Sequence, residues 1–260
     1  MAKLWVFGDS FSDSHKWVIN SYLNSGGFAS LMHDGPPQYK YLIAKYLKEN
    51  KIPKHFEDVL GEHFGLEVGI KYNCAGGGFS NADIIESIGN NIHRIKEDDY
   101  VVIGWTDLRR IRLLNSDSQW TQIHPAGIEK MGGFDDMTQS FVNTIRRIMT
   151  LRYESDKGEL WRPKTKLDTE IKSFVNLINK ALPKNTMHWT PFCLTLLSTR
   201  KRDQSMFWIP YWKTTTDIRK ETNGEIDDGH FSETGHIQIG KQMIEWFKNP
   251  KLIYPYQQKI

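Results

Sequence analysis

Short apolar runs of strand length alternate along this chain with longer segments of helical periodicity, and that alternation leaves few folds open. Apolar runs without a polar face suit strands buried on both sides, as in a parallel sheet covered by helices. Strands are expected over residues 3–8, 67–73, 100–104 and 186–190. Between the first two, residues 38–50 place Tyr39, Leu42, Ile43, Tyr46 and Leu47 on one helical face behind Pro36 and Pro37. Residues 55–64 form a second helix stopped by Gly65. Ser80 or Asn81 can cap a third, which carries Ile84, Ile85, Ile88, Ile92 and Ile95. Residues 137–151 and 167–182 read as two more helices with a polar stretch between them, and a last one occupies 233–247 ahead of Pro250. Residues 113–134 and 194–227 stay irregular, and loops of that length in a compact domain are usually functional or disordered. Their tryptophans and tyrosines argue for order.

The chain has 260 residues, 39% apolar and 25% charged, which suits one large domain spanning 1–260. Lys and Arg number 34 against 31 Asp and Glu, so no whole-protein field points to a nucleic-acid partner. Cys74 and Cys193 are expected to be two reduced, buried thiols rather than a disulfide framework. No basic region followed by an apolar core and a cleavage site opens the chain, and no run of 18 apolar residues occurs. The expectation is a soluble protein made in the cytoplasm without a signal peptide and without a membrane partner.

Two motifs carry the chemistry. Leu4-Trp5-Val6-Phe7 would form a buried strand that turns sharply at Gly8-Asp9-Ser10 and presents the Ser10 hydroxyl at its carboxyl end, where open α/β sheets bind ligands. Near the other end, Asp227-Asp228-Gly229-His230 puts an acid three residues before a histidine, so one loop supplies a base and the group that orients it. Together they suit a serine nucleophile. Asp228 is the alternative orienter. No His-Glu-x-x-His and no tight histidine cluster with metal-ligand spacing is present, so no metal is expected. Gly76-Gly77-Gly78 lacks the Gly-Lys-Ser/Thr of a phosphate loop, and Asn81 stands where a dinucleotide turn needs glycine, so no cofactor is expected. His236 reads as a packing residue or as a partner of the base.

Gly8-Asp9-Ser10-Phe11-Ser12-Asp13, the turn Asn73-Cys74-Ala75-Gly76-Gly77-Gly78, Gly104-Trp105-Thr106-Asp107 and the terminal Asp-x-x-His together resemble the SGNH (GDSL-like) hydrolases, in that family's order and over nearly the whole chain. The resemblance implies a three-layer α/β/α sandwich with a flavodoxin-like parallel sheet. It also implies that Ser10 attacks an ester carbonyl, His230 takes its proton and Asp227, favoured over Asp228, holds the imidazole. Backbone N–H groups of Ser10 and Gly78 become the oxyanion donors. The family's third donor is an asparagine in Gly-x-Asn-Asp, and here Thr106 stands in its place. A threonine hydroxyl donates one hydrogen bond over a shorter reach, with Ser80 and Asn81 as substitutes whose ordinary role is helix capping.

The expected reaction is removal of a short acyl group, most simply acetyl, from a carbohydrate. Arg109, Arg110 and Arg112 form either a solvated helix face or a contact for an acidic sugar or phosphate, with Arg109 the candidate for binding. Trp120, Trp208 and Trp212 on the long loops suit stacking on sugar rings, whereas Trp105 and Trp189 fall inside apolar segments and belong to the core or the cleft wall. Similar Gly-Trp-Thr variants look like those of SGNH-like proteins encoded by tailed bacteriophages, which implies a virion-associated deacetylase acting on a host polysaccharide. A lipid esterase or thioesterase, and a non-catalytic carbohydrate-binding module on the same fold, are the alternatives.

Overall fold

The computed structural model describes residues 1–25, 35–106, 110–114, 120–123, 177–178, 180–190, 206–208 and 216–249. In chain order the elements are β1 (Leu4–Phe7), α1 (His15–Asn24), α2 (Pro37–Glu49), α3 (Phe56–Phe64), α4 (Asn81–Asn91), β2 (Tyr100–Gly104), β3 (Ile111–Leu114), β4 (Trp120–Ile123), β5 (Thr186–Thr190), β6 (Met206–Trp208), α5 (Ile218–Glu221) and α6 (Glu233–Lys248). The helix expectations at 137–151 and for most of 167–182 lie outside the described residues, as do Arg109, Trp212 and Cys193.

β1, β2, β5 and β6 form one parallel sheet in that order. The apolar runs become strands because both faces are buried, and successive side chains feed two separate cores. Leu4, Val6, Val102 and Met187 join Phe56 and Leu60 of α3 and Ile239 and Met243 of α6. Trp5, Phe7, Val101 and Ile103 meet Ile84 and Ile88 of α4. Trp105 and Trp189 are buried in these cores. A third cluster, with Val18, Ile19, Leu42, Ile43 and Ile218, packs α1 and α2 against α5.

The expected strand at 67–73 does not form as a continuous element. Its ends bridge β1 in parallel, Lys3 to Glu67 and Val6 to Asn73. Between them the chain closes a turn, with the Tyr72 N–H donating to the Gly69 carbonyl at 2.9 Å. Glycine weakens the strand at that point and the turn exposes Ile70. The backbone still follows β1 on the side opposite β2, so the chain leaves β1 in one direction and returns to the sheet in the other.

Helix ends follow local chemistry. Gly65 ends α3 in the left-handed region at φ 65°, where a side chain would be strained. Ser80 caps α4 through the Asp83 N–H, and Asp83 reaches back to the Ser80 N–H, a capping box. Ser232 caps α6 through the Gly235 N–H at 3.1 Å. α1 is an unexpected element, although Trp17, Val18, Ile19, Tyr22 and Leu23 are spaced for a helix. The described parts of the two expected loops contain the antiparallel β3–β4 hairpin and β6. Runs of three or four residues are too short for periodicity to separate from loop.

Candidate active site

At the carboxyl end of β1 the chain must turn against the end of β2, and only a residue without a side chain fits. A Cβ on Gly8 would meet the Ser12 side chain and lie 3.1 Å from the Gly104 carbonyl. The turn over 9–12 is held by the Ser12 N–H donating to the Asp9 carbonyl at 2.9 Å and the Phe11 N–H donating to Asp9 Oδ1 at 3.1 Å. Gln38 Nε2 donates to the Ser10 carbonyl at 3.2 Å and fixes the outer side of the turn. Ser10 itself is left partly open to solvent.

A second loop brings His230 to the Ser10 hydroxyl. The Ile218 N–H donates to the His230 carbonyl at 2.9 Å and the Arg219 N–H to the Asp228 carbonyl at 3.0 Å, which ties this loop to the residues that start α5. α6 then begins directly behind it. His230 Nε2 lies 2.8 Å from Ser10 Oγ, and His230 Nδ1 lies 2.6 Å from Asp228 Oδ1. A carboxylate accepts, so it places the proton on Nδ1 and leaves the Nε2 lone pair facing the serine hydroxyl. The His230 N–H donates to the same Asp228 oxygen at 2.7 Å, and the Phe11 ring stacks on the imidazole with centroids 4.4 Å apart. Burial alone would raise the Asp228 carboxyl, but the hydrogen bond and charge of His230 outweigh it and hold the group below its ordinary value.

The carboxylate that meets the imidazole is therefore Asp228 and not the expected Asp227. Asp227 points to solvent, with its side chain 81% exposed, and pairs with Arg219 Nε at 2.5 Å. The Asp-x-x-His spacing is present in the sequence, but the carboxylate that meets the ring is the buried one two residues from it.

Thr106 departs from its expected role as well. It is fully buried at the end of β2, and its hydroxyl donates to Asp9 Oδ2 at 2.5 Å. A hydroxyl has one proton, so this bond leaves none for an oxyanion. Asn81 does not substitute: its amide clamps the Thr106 backbone, donating to the carbonyl at 3.1 Å and accepting from the N–H at 2.9 Å. Ser80 is the helix cap. The glycine turn is tied to the nucleophile turn by the Gly76 N–H, which donates to the Gly8 carbonyl at 3.1 Å, and Gly78 is exposed at φ 84°. We expect Thr106→Val to lower the free energy of unfolding by about 1–3 kcal/mol, because it removes a buried hydrogen bond to a carboxylate oxygen that Arg110 then meets without it. An unchanged denaturant midpoint would show that the hydroxyl does not hold Asp9.

No protein-family model, curated protein or solved structure matches this chain. The site's meaning rests on its geometry.

Several residues that shape the site carried no role in the sequence reading. Asp9 is 1% exposed and collects Phe11, Thr106 and Arg110, the last with Nη1 3.3 Å from Asp9 Oδ2. Among the described residues, Arg110 is the arginine that reaches this end of the sheet. Glu57, buried in α3, accepts from Ser14 Oγ and Asn73 Nδ2, each at 2.9 Å, and joins the exit of the nucleophile turn to the glycine turn. Trp120 starts β4, and Trp208 ends β6 in register with Thr190, at the carboxyl edge of the sheet. Cys74 is a free, half-buried thiol.

Asp13 lies behind the nucleophile turn. Burial, aided by the charge of Asp9, raises its carboxyl to about 6 against the pull of the Tyr39 hydroxyl, which donates at 3.1 Å, the Ser14 backbone and His230. The native state binds this proton more tightly than the unfolded chain, whose Asp titrates near 3.8. Stability from this group is therefore greatest at low pH and is lost as pH rises through about 4 to 6. Asp13→Asn removes that loss and should stabilise the protein at pH 8 by roughly 1–3 kcal/mol, the gap closing towards pH 4. Parallel unfolding curves at the two pH values check this, and an equal gap at both would remove the titration from the explanation.

The expectation of no histidine cluster also needs correction. His15, His55 and His236, far apart in sequence, meet in the core with ligand atoms within 4.8 Å of one another. No helix among the described residues is long and apolar enough to cross a membrane.

Proposed function

We propose that this chain is a serine ester hydrolase of the SGNH (GDSL-like) type, with Ser10 as nucleophile, His230 as general base and Asp228 as its orienter. The observation that carries the reading is the continuous chain from Asp228 Oδ1 through both His230 ring nitrogens to Ser10 Oγ, at 2.6 and 2.8 Å. That is the spacing required of an activated nucleophile and its oriented base. The strand order supports it. β1 has the 67–73 segment on one side and β2 on the other, so Ser10 stands at a point where the chain reverses direction across the sheet. With α3 and α6 on one face and α4 on the other, a flavodoxin-like three-layer sandwich is the architecture this arrangement favours.

In the proposed reaction Ser10 Oγ bonds to the ester carbonyl carbon while its proton passes to His230 Nε2. The carbonyl oxygen becomes the oxyanion, met by the backbone N–H groups of Ser10 and Gly78. Two backbone donors suffice in other serine hydrolases, so the commitment of Thr106 to Asp9 does not remove the hole. Collapse breaks the ester C–O bond, and His230 returns the proton to the leaving alkoxide. Water, deprotonated by the same nitrogen, then releases the acid and restores Ser10. Asp228 stays ionised throughout.

For substrate we propose a short acyl ester, acetyl in the simplest case, on a sugar or polysaccharide, with a virion-associated role as its setting. The support is β6, which carries Trp208 to the carboxyl edge of the sheet. Hydrolysis of 4-nitrophenyl acetate, with acetate release from acetylated sugars compared against longer acyl esters, tests the reading. Ser10-dependent turnover that declines with acyl length is the expected result. Preference for long chains would favour a lipid esterase, and no turnover above background would favour a carbohydrate-binding module.

A further inference from the structure

His15 opens α1 just after the nucleophile turn, His55 caps α3, and His236 lies in the first turn of α6 just after His230. None of the three is more than 1% exposed. Their rings meet with centroids 4.9 Å apart for His15 and His55, 4.5 Å for His15 and His236, and 4.3 Å for His55 and His236. Such a contact among three neutral rings is ordinary packing only if their nitrogens have partners, and most here do not. His15 Nδ1 lies 3.0 Å from the Pro53 carbonyl, which only accepts, so that nitrogen carries the proton and Nε2 is a bare lone pair. His55 Nδ1 accepts from the Glu57 N–H at 3.4 Å. His15 Nε2, His55 Nε2 and both nitrogens of His236 are buried without a hydrogen-bond partner among the described residues. Native interiors rarely leave so many orphans in one place.

We propose that His15, His55 and His236 bind one divalent transition-metal ion of the zinc class, as a structural clamp beside the active site. Three imidazole nitrogens around tetrahedral Zn²⁺ stand about 3.4 Å apart, given bonds of about 2.0–2.1 Å. The ligand atoms already lie within 4.8 Å of one another, a gap that small side-chain rotations close. An all-nitrogen set suits zinc, cobalt, nickel or copper and excludes calcium and magnesium, which take oxygen. Burial keeps the rings in the neutral form that ligates: it lowers His15 to about 4 and His55 and His236 well below their ordinary value. On loading, His55 Nε2 binds the metal and its proton moves to Nδ1. There it exchanges the long bond from the Glu57 N–H for the Glu57 carboxylate, whose Oε2 is 3.9 Å away. That contact orients the ligand. The ion would join the segment that follows Ser10 to the segment that follows His230, and so hold the two halves of the catalytic pair in register. It takes no part in the ester reaction.

The test uses the full chain carrying Ser10→Ala, so its outcome is independent of hydrolysis. After dialysis against a chelator, the protein is titrated with CoCl₂ and then ZnCl₂. One Co²⁺ per chain with the visible bands of a tetrahedral site, displaced by Zn²⁺, is expected. Zn²⁺ at 100 times its Kd should raise the unfolding midpoint by about 5–10 °C. His55→Gln and His236→Gln should each abolish both effects while keeping the circular-dichroism spectrum. X-ray absorption of the zinc-loaded Ser10→Ala protein should count three imidazoles, a readout that stands even where a histidine variant fails to fold. Substoichiometric binding, fewer than three imidazole ligands, or binding undiminished in folded His55→Gln and His236→Gln proteins would overturn the proposal.

Discussion

Ser10→Ala is expected to reduce kcat for 4-nitrophenyl acetate by about 10⁶-fold, the scale on which removing a nucleophile or its base collapses a catalytic unit. The fold should survive. Ser10 is partly exposed on a turn held by Asp9 and Gln38, none of whose bonds uses the Ser10 hydroxyl, and the change opens no core cavity. His230→Ala should cost nearly as much, and the double variant little more than either, because the two act as one unit. Turnover measured beside circular dichroism and a serine-directed fluorophosphonate label checks this. Retention of most activity, or labelling that persists in Ser10→Ala, would take Ser10 out of the mechanism.

The second large effect separates two adjacent aspartates. Asp228→Asn keeps the shape of the side chain but offers His230 Nδ1 an amide that can present a donor, so the ring is free to adopt the tautomer that turns an N–H towards Ser10. A fall in kcat of about 10⁴-fold is expected. Asp227→Asn removes a charge that is 81% exposed and paired, among the described residues, with exposed Arg219, a contact of the kind that contributes little. Its activity should stay within about 2-fold of the parent, the scale of a surface ion pair. Kinetics on the two single variants decide the matter, and a damaging Asp227→Asn beside a benign Asp228→Asn would reverse the assignment.

Much of the fold was legible because its signals are local. The spans 100–104 and 186–190 were expected as strands and occur unchanged, since their side chains are buried on both faces and the apolar run needs no partner to be seen. Helices α2, α3, α4 and α6 were marked by periodicity and by end residues such as Pro37, Gly65 and Ser80. The strand expected at 67–73 failed where apolar composition met Gly69 and a turn closed instead. β3, β4 and β6 escaped notice because pairing across the chain, not their own few residues, makes them strands.

The candidate site divides along the same line. Which residue types are available was fixed by composition and spacing: a serine after a buried strand and a glycine, and a histidine just after two aspartates. Which aspartate meets the imidazole was decided by the path of a loop whose carbonyls are held by Ile218 and Arg219, and that path buries Asp228 under the ring while turning Asp227 to solvent. Thr106 follows the same rule, since nothing in Gly-Trp-Thr-Asp says that Asp9, 97 residues away, will take its proton. The three buried histidines are the extreme case: residues scattered over more than 200 positions share no spacing to read, because long-range packing of α1, α3 and α6 alone brings their rings together. A sequence determines local propensity and the chemical inventory. Contacts between residues remote in the chain depend on how its helices and strands pack, and that packing decides which members of the inventory meet.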